Sequence, residues 1–219
     1  MGTIRKKDQT QLKYIFVAGA PGSKWSSVVK NIYFSDDIDR TDYSEARTYY
    51  HDASGTRELM HLGAYFDPGM EFGGFFDRLQ DYTKTECEAE FDRAFLGNDD
   101  RGIRIVKSHV FAHQIDFLKQ HWPECPIILV HRGDDACLGW WVKCGHFSIT
   151  YPSYHGYYKN IRQMAQIISA QNRDIEQHMT ESSVYPIDNH ELCNFLNIQL
   201  PPDEYQQNYS NSDIKVSVL

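Results

Sequence analysis

Near its start the chain carries an unbroken apolar run, Tyr14-Ile-Phe-Val-Ala18, which stops at Gly19 and gives way to Ala-Pro-Gly-Ser-Lys-Trp-Ser-Ser27. An apolar run without polar alternation suits a strand buried on both faces, as in a parallel sheet covered by helices. Gly19 allows a tight turn, and helical sequence resumes from Ser26 to Tyr33. Strand, glycine-bearing loop and helix in immediate succession bring backbone N–H groups and a helix N-terminus to one point, which attracts an anion. In that loop Gly22 permits close backbone approach, Ser23, Ser26 and Ser27 offer hydroxyl donors, and Lys24 adds positive charge.

Two later runs, Ile103 to Val106 and Ile127 to Val130, are β-branched and each precedes a helical stretch, the pattern of βα units. Between them Phe111 to Trp122 reads as a crossover helix, stopped by Pro123. Tyr157 to Met179 is the longest helical candidate. Val184 to Ile187 reads as a short edge strand, and Asn189 as a cap for a helix from Glu191 to Leu196. The 35–98 region, with its glycine-rich knot from Gly63 to Gly74, reads as an insertion carrying substrate-facing loops. The polar tail after Pro201 is expected at the periphery.

The 219 residues fit a single domain spanning 1–219. A net charge of −8 argues against a broad nucleic-acid surface, which would collect lysine and arginine. No stretch approaches the ~20 apolar residues of a membrane span, and the basic N-terminus lacks the apolar centre of a secretory signal. The expected location is therefore cytoplasmic, with no membrane and no nucleic-acid partner. Five cysteines without a CxxC pair fit reduced thiols. Cys144 and His146 are not followed by a second pair at zinc spacing, so no metal is expected.

The loop departs from the Walker A pattern, G-x-x-x-x-G-K-[ST], in two places: no glycine precedes Lys24, and Trp25 stands where a hydroxyl residue belongs. The later strands end in Lys107-Ser-His109 and His131-Arg132 rather than in a magnesium-holding acid. Basic strand ends suit direct neutralisation of ligand charge.

In these features the chain resembles the sulfotransferases that use 3′-phosphoadenosine 5′-phosphosulfate (PAPS). Pro21-Gly-Ser-Lys-Trp-Ser-Ser27 is similar in position to their P-K-S-G-T-T-W loop. Lys107-Ser-His-Val-Phe111 resembles their K-T-H-L-P motif, and the segment Ile127 to Trp141 resembles the strand, arginine and helix of their 3′-phosphate motif. Gly22 occupies the family's lysine position, Lys24 its glycine and Gly139 its 3′-phosphate serine, and the family's C-terminal R-K-G segment is not recognisable.

The resemblance implies a three-layer α/β/α domain with a central parallel sheet of the P-loop NTPase type. It implies PAPS as donor and 3′-phosphoadenosine 5′-phosphate (PAP) as product, without a metal. Pro21, Gly22, Ser23, Lys24, Trp25, Ser26, Ser27 and Arg132 would hold the donor. His109 would be the base for a hydroxyl or amine of a small-molecule or glycan acceptor, with Lys24 and Lys107 stabilising the charge that develops. His113 and His131 are reserve candidates for the base. Trp140-Trp141 and the tyrosines of Tyr151 to Tyr158 are expected chiefly in packing. Two other classes fit the same fold: a P-loop kinase using ATP and magnesium, and a noncatalytic binding domain.

Overall fold

The computed structural model describes residues 12–42, 62–67, 72–97, 101–143, 160–179, 189–203 and 213–219. The first apolar run forms β1 (Tyr14–Gly19), every residue of it buried. Its side chains alternate between two cores: Tyr14, Phe16 and Ala18 face one cluster, Ile15 and Val17 the other. Only a central strand with both faces covered can bury such a run.

The sheet has five strands in the order β2 (Ala64–Tyr65), β3 (Arg104–Lys107), β1, β4 (Ile127–Arg132), β5 (Ile214–Val218). The first four are mutually parallel, whereas β5 runs antiparallel to β4, with Ile214 opposite Arg132. The expected central parallel sheet therefore holds for four strands and is corrected at its edge by β5: the molecule is α/β with a mostly parallel sheet. The tail after Pro201 is likewise not all peripheral, because it supplies β5. Ile214 and Val216 are buried while Lys215 between them is exposed, a period of two carried by very few residues.

Helices cover both faces. Packed on Ile15 and Val17 are α1 (Trp25–Tyr33) and, beyond residue 188, the helix Asn189–Leu196. The opposite face holds α2 (Lys84–Asp92) and α3 (Ile115–His121), through Phe91, Ile115 and Leu118. After β4 the chain forms α4 (Asp134–Lys143) and then α5 (Ile161–His178). Cys137 and Trp141 of α4 meet Met164 and Ile168 of α5 together with Ala20 of the first loop. The helix Asn189–Leu196 is α6.

The crossover from Phe111 is not one helix. A 3₁₀ turn, His109–His113, precedes α3, and Ser108 caps it by accepting from the Val110 N–H. In the 35–98 region a capping box of Thr83 and Glu86 starts α2. The same region supplies β2 and a wall of the core, where Phe66 stacks on Phe76 and Phe76 on Phe111. Asn160 caps α5 through the Gln163 N–H. Asn189 opens α6 and donates its amide to the Asn31 carbonyl of α1. Val184 to Ile187, Tyr151 to Lys159 and Cys144 with His146 lie outside the described residues. Cys87, Cys125, Cys137 and Cys193 are free and buried. No helix among the described residues is long and apolar enough to cross a membrane.

The two ends of the sheet differ in chemistry. Where β3 begins, buried Arg104 bonds Asp39, Asp92 and the Gly97 carbonyl, and Asp92 also accepts from Tyr14. That end is closed by its own ion pairs. The candidate ligand residues gather at the other.

Candidate functional site

Parallel strands place their C-terminal ends along one edge, and the register sets how the ends stand. Val17 lies opposite Lys107, Tyr65 also opposite Lys107, and Gly19 opposite Val130. From β1 the chain goes to β2 and β3 on one side and returns to β4 on the other. Such a reversal opens a crevice beyond the strand ends.

Past Gly19 the chain turns, with the Ser23 N–H donating to the Ala20 carbonyl at 2.9 Å. Lys24 takes up the left-handed conformation, φ 62°, and α1 begins at Trp25 with no side chain capping it. Of the first-turn N–H groups, that of Ser27 donates to the Lys24 carbonyl at 2.9 Å, and those of Trp25 and Ser26 have no side-chain cap and suit water or a ligand. Ser23 is fully buried, and its Oγ has no hydrogen-bond partner among the described residues. A buried hydroxyl without a partner is uncommon and calls for a cause. Pro21 is buried, while Ser26 and Ser27 are half-buried on the first turn of α1.

Gly22 has φ 82°, and a Cβ there would fall 2.0 Å from the carbonyl oxygen of Cys137. The approach of α4 therefore excludes any side chain at this position. The positive charge sits two residues later, on Lys24, whose Nζ lies 4.6 Å from the ring centre of half-buried Trp140. Lys143 reaches the same ring at 5.7 Å. Gly139, one turn along α4's exposed side, has nothing within 4 Å of where its Cβ would be.

Trp25 turns inward and is 5% exposed. Its ring stacks on His109 at 4.0 Å and meets the edge of Tyr65, and Lys107 Nζ lies 5.6 Å from its centre. Loop, β2 and β3 are thus joined through three rings and an ammonium group.

His109 Nδ1 faces the carbonyl oxygen of Gly19 at hydrogen-bond distance. A carbonyl only accepts, so Nδ1 carries the proton and Nε2 keeps its lone pair. Burial pushes the imidazole down to about 3; the Gly19 bond opposes this and the charge of Lys107 adds to it. The ring is neutral in the free protein at neutral pH.

A residue that sequence reasoning missed stands behind His109. Asp67, just past β2, is buried and accepts from Ser108 Oγ at 2.7 Å, the His109 N–H at 3.0 Å and Tyr65 Oη at 2.7 Å. Burial raises its carboxyl to about 6 against the opposing pull of those bonds. It sets the backbone of the Ser108–His109 turn. A strand of two residues has no periodicity to read, and only the tyrosine two positions before the acid marked the place.

Arg132 is buried at the end of β4. Its Nε donates to Asp213 at 2.6 Å and its Nη1 to the Gly22 carbonyl at 3.2 Å. Its own carbonyl accepts from the Asn172 amide at 2.7 Å. The guanidinium therefore braces the loop against β5 and does not pair with Asp134 or Asp135 at the start of α4. The reserve histidines are placed elsewhere: His113 pairs with Asp174, and His131 lies 3.9 Å from Glu176, both acids on α5. Trp141 is buried in packing, as expected.

No family model, curated protein or solved structure matches the chain. The functional reading rests on the chemistry of these residues.

Proposed function

We propose that the chain is a sulfotransferase-like enzyme of P-loop type that moves a sulfuryl group from PAPS to a hydroxyl or amine acceptor. The observation that carries the proposal is the tautomer of His109, fixed by the Gly19 carbonyl so that Nε2 is the basic nitrogen beside the anion-attracting loop. In support, the residues present suit the donor's 5′ end. The start of α1, which has no side-chain cap, the Ser23 hydroxyl, which has no partner among the described residues, and Lys24 together offer backbone, hydroxyl and ammonium donors.

PAPS supplies an activated sulfuryl group whose leaving group is a phosphate. His109 Nε2 takes the acceptor's proton as the acceptor's oxygen or nitrogen bonds to sulfur and the bond from sulfur to the phosphate oxygen breaks. Lys24 and Lys107 offset the negative charge that collects on the departing oxygen. A base at about 3 is weak in the free protein. An anion docked on the loop favours the imidazolium, so the substrate's own charge strengthens the base. Asp67 stays behind it as a positioning residue for Ser108 and His109.

Asp67 also gives a kinase reading its one specific support, because it is an acid at a strand end. Among the described residues its hydrogen bonds run to Tyr65 and to the turn of Ser108, His109 and Val110, which favours the positioning role. The test is release of PAP from PAPS in the presence of an acceptor panel of phenols, sugars and amines. Release by the wild-type chain and its loss in His109→Gln supports the enzyme. Equal release by both removes His109 as base.

A further inference from the structure

Arg132 is the cation at the end of β4, and its guanidinium fork is already engaged. Strand pairing puts Ile214 opposite Arg132, so Asp213, the residue before β5, is held beside the fork. The two partners differ in access to water: the Arg132 side chain is 10% exposed and that of Asp213 42%. The arginine is further fixed by the Gly22 carbonyl and, through its backbone, by Asn172. The acid is thus the partner that can swing away, while the fork stays aimed at the loop. The acid at the start of α4, Asp134, accepts instead from Asn172 at 2.7 Å.

We propose that Asp213 is a specificity-determining residue for the nucleotide, occupying the arginine that a phosphate on the ribose would claim. The inference rests on the nucleotide site proposed above. A phosphate oxygen makes the same charge-assisted bond to the fork as the carboxylate does. Two anions beside one guanidinium repel each other, so a ribose-phosphorylated nucleotide binds by displacing Asp213. A nucleotide with a single 5′-phosphate leaves the pair intact. Asp213 thereby lowers the preference for the second phosphate without touching the loop that holds the first.

The test is titration calorimetry on the full chain with PAP and with AMP, which differ by the ribose phosphate alone. Wild type is compared with Asp213→Asn and with Asp36→Asn, which removes an exposed charge beyond the other end of α1. Asparagine keeps an oxygen for the Arg132 Nε and removes only the charge, and a melting curve checks that the variant is folded. The expected result is a PAP affinity about three- to tenfold higher in Asp213→Asn, with AMP unchanged and Asp36→Asn like wild type. If wild type binds PAP and Asp213→Asn leaves the ratio of PAP to AMP affinity unchanged or lower, this inference fails and the nucleotide site stands. A rise shared equally by both ligands also overturns it. If no variant binds PAP, both fail.

Discussion

His109 donates from Nδ1 to the carbonyl oxygen of Gly19, so the turn after β3 is pinned to the last residue of β1. One bond links two of the motifs on which the resemblance rests, the glycine loop and the Lys107-Ser-His109 strand end. It also decides which ring nitrogen is basic.

A glutamine at 109 can donate to the same carbonyl but cannot take a proton. His109→Gln is expected to lower transfer by ~10²- to 10⁴-fold, the usual range for a lost general base. Stabilisation by PAP, read as a melting shift, should persist. Retained transfer would remove His109 from the chemistry.

The two shifted groups of the site act on stability in opposite directions. His109 is lowered to about 3 from its ordinary value, so the unfolded chain binds its proton more readily; stability is present above about 6.5 and declines as pH falls toward 3. Asp67 is raised to about 6, so its contribution is present below about 4 and is lost as pH rises through 6. From pH 7 down to 4.5 the first loses and the second regains on the order of 2 kcal/mol each, leaving little net slope from this pair. Asp67→Asn removes the compensation, and urea unfolding should then show a stability that falls with acidity more steeply than in wild type by about 2 kcal/mol. Parallel curves for the two proteins would contradict the assignment.

Gly22 and Gly139 make a contrast that thermal denaturation can read. At 22, alanine meets the Cys137 carbonyl in a left-handed conformation, and Gly22→Ala should cost ~2–4 kcal/mol. At 139, in open space on a helix, Gly139→Ser should be neutral or stabilise by up to ~0.5 kcal/mol. The reverse order would contradict the placement of α4 against the loop.

The central strands were legible because β1 and β4 carry apolar runs long enough to stand out, and β3 carries the β-branched pair Ile105-Val106 just after Ile103. The edges were not. β2 has two residues, and β5 buries Ile214 and Val216 within a polar tail, so neither offers a long periodic signal. The loop and the basic strand ends could be located from sequence, but their internal bonds could not. Trp25 reads as a loop residue and turns inward onto His109, while Arg132 finds its acid 81 positions away at Asp213. Nothing local marks such a pair. Asp67 escaped for the same reason: its partners Ser108 and His109 arrive from another strand.

The same edge supports a further expectation. Val216 is 1% exposed, and Val216→Ala should destabilise by ~1–3 kcal/mol. A substitution without effect on the urea midpoint would mean that β5 contributes nothing to the core.

The central claim, a nucleotide site at the first loop that takes PAPS and its product PAP, is tested most directly by melting the purified chain with PAP and, separately, with ATP plus magnesium at matched concentration. A ligand at ~100 times its dissociation constant adds ~2.7 kcal/mol to the folded state, enough to move the midpoint visibly. The expected result is a higher midpoint with PAP and little change with ATP and magnesium. A shift with ATP and magnesium alone would contradict the sulfotransferase reading in favour of a kinase, and no shift with either would contradict the nucleotide site itself.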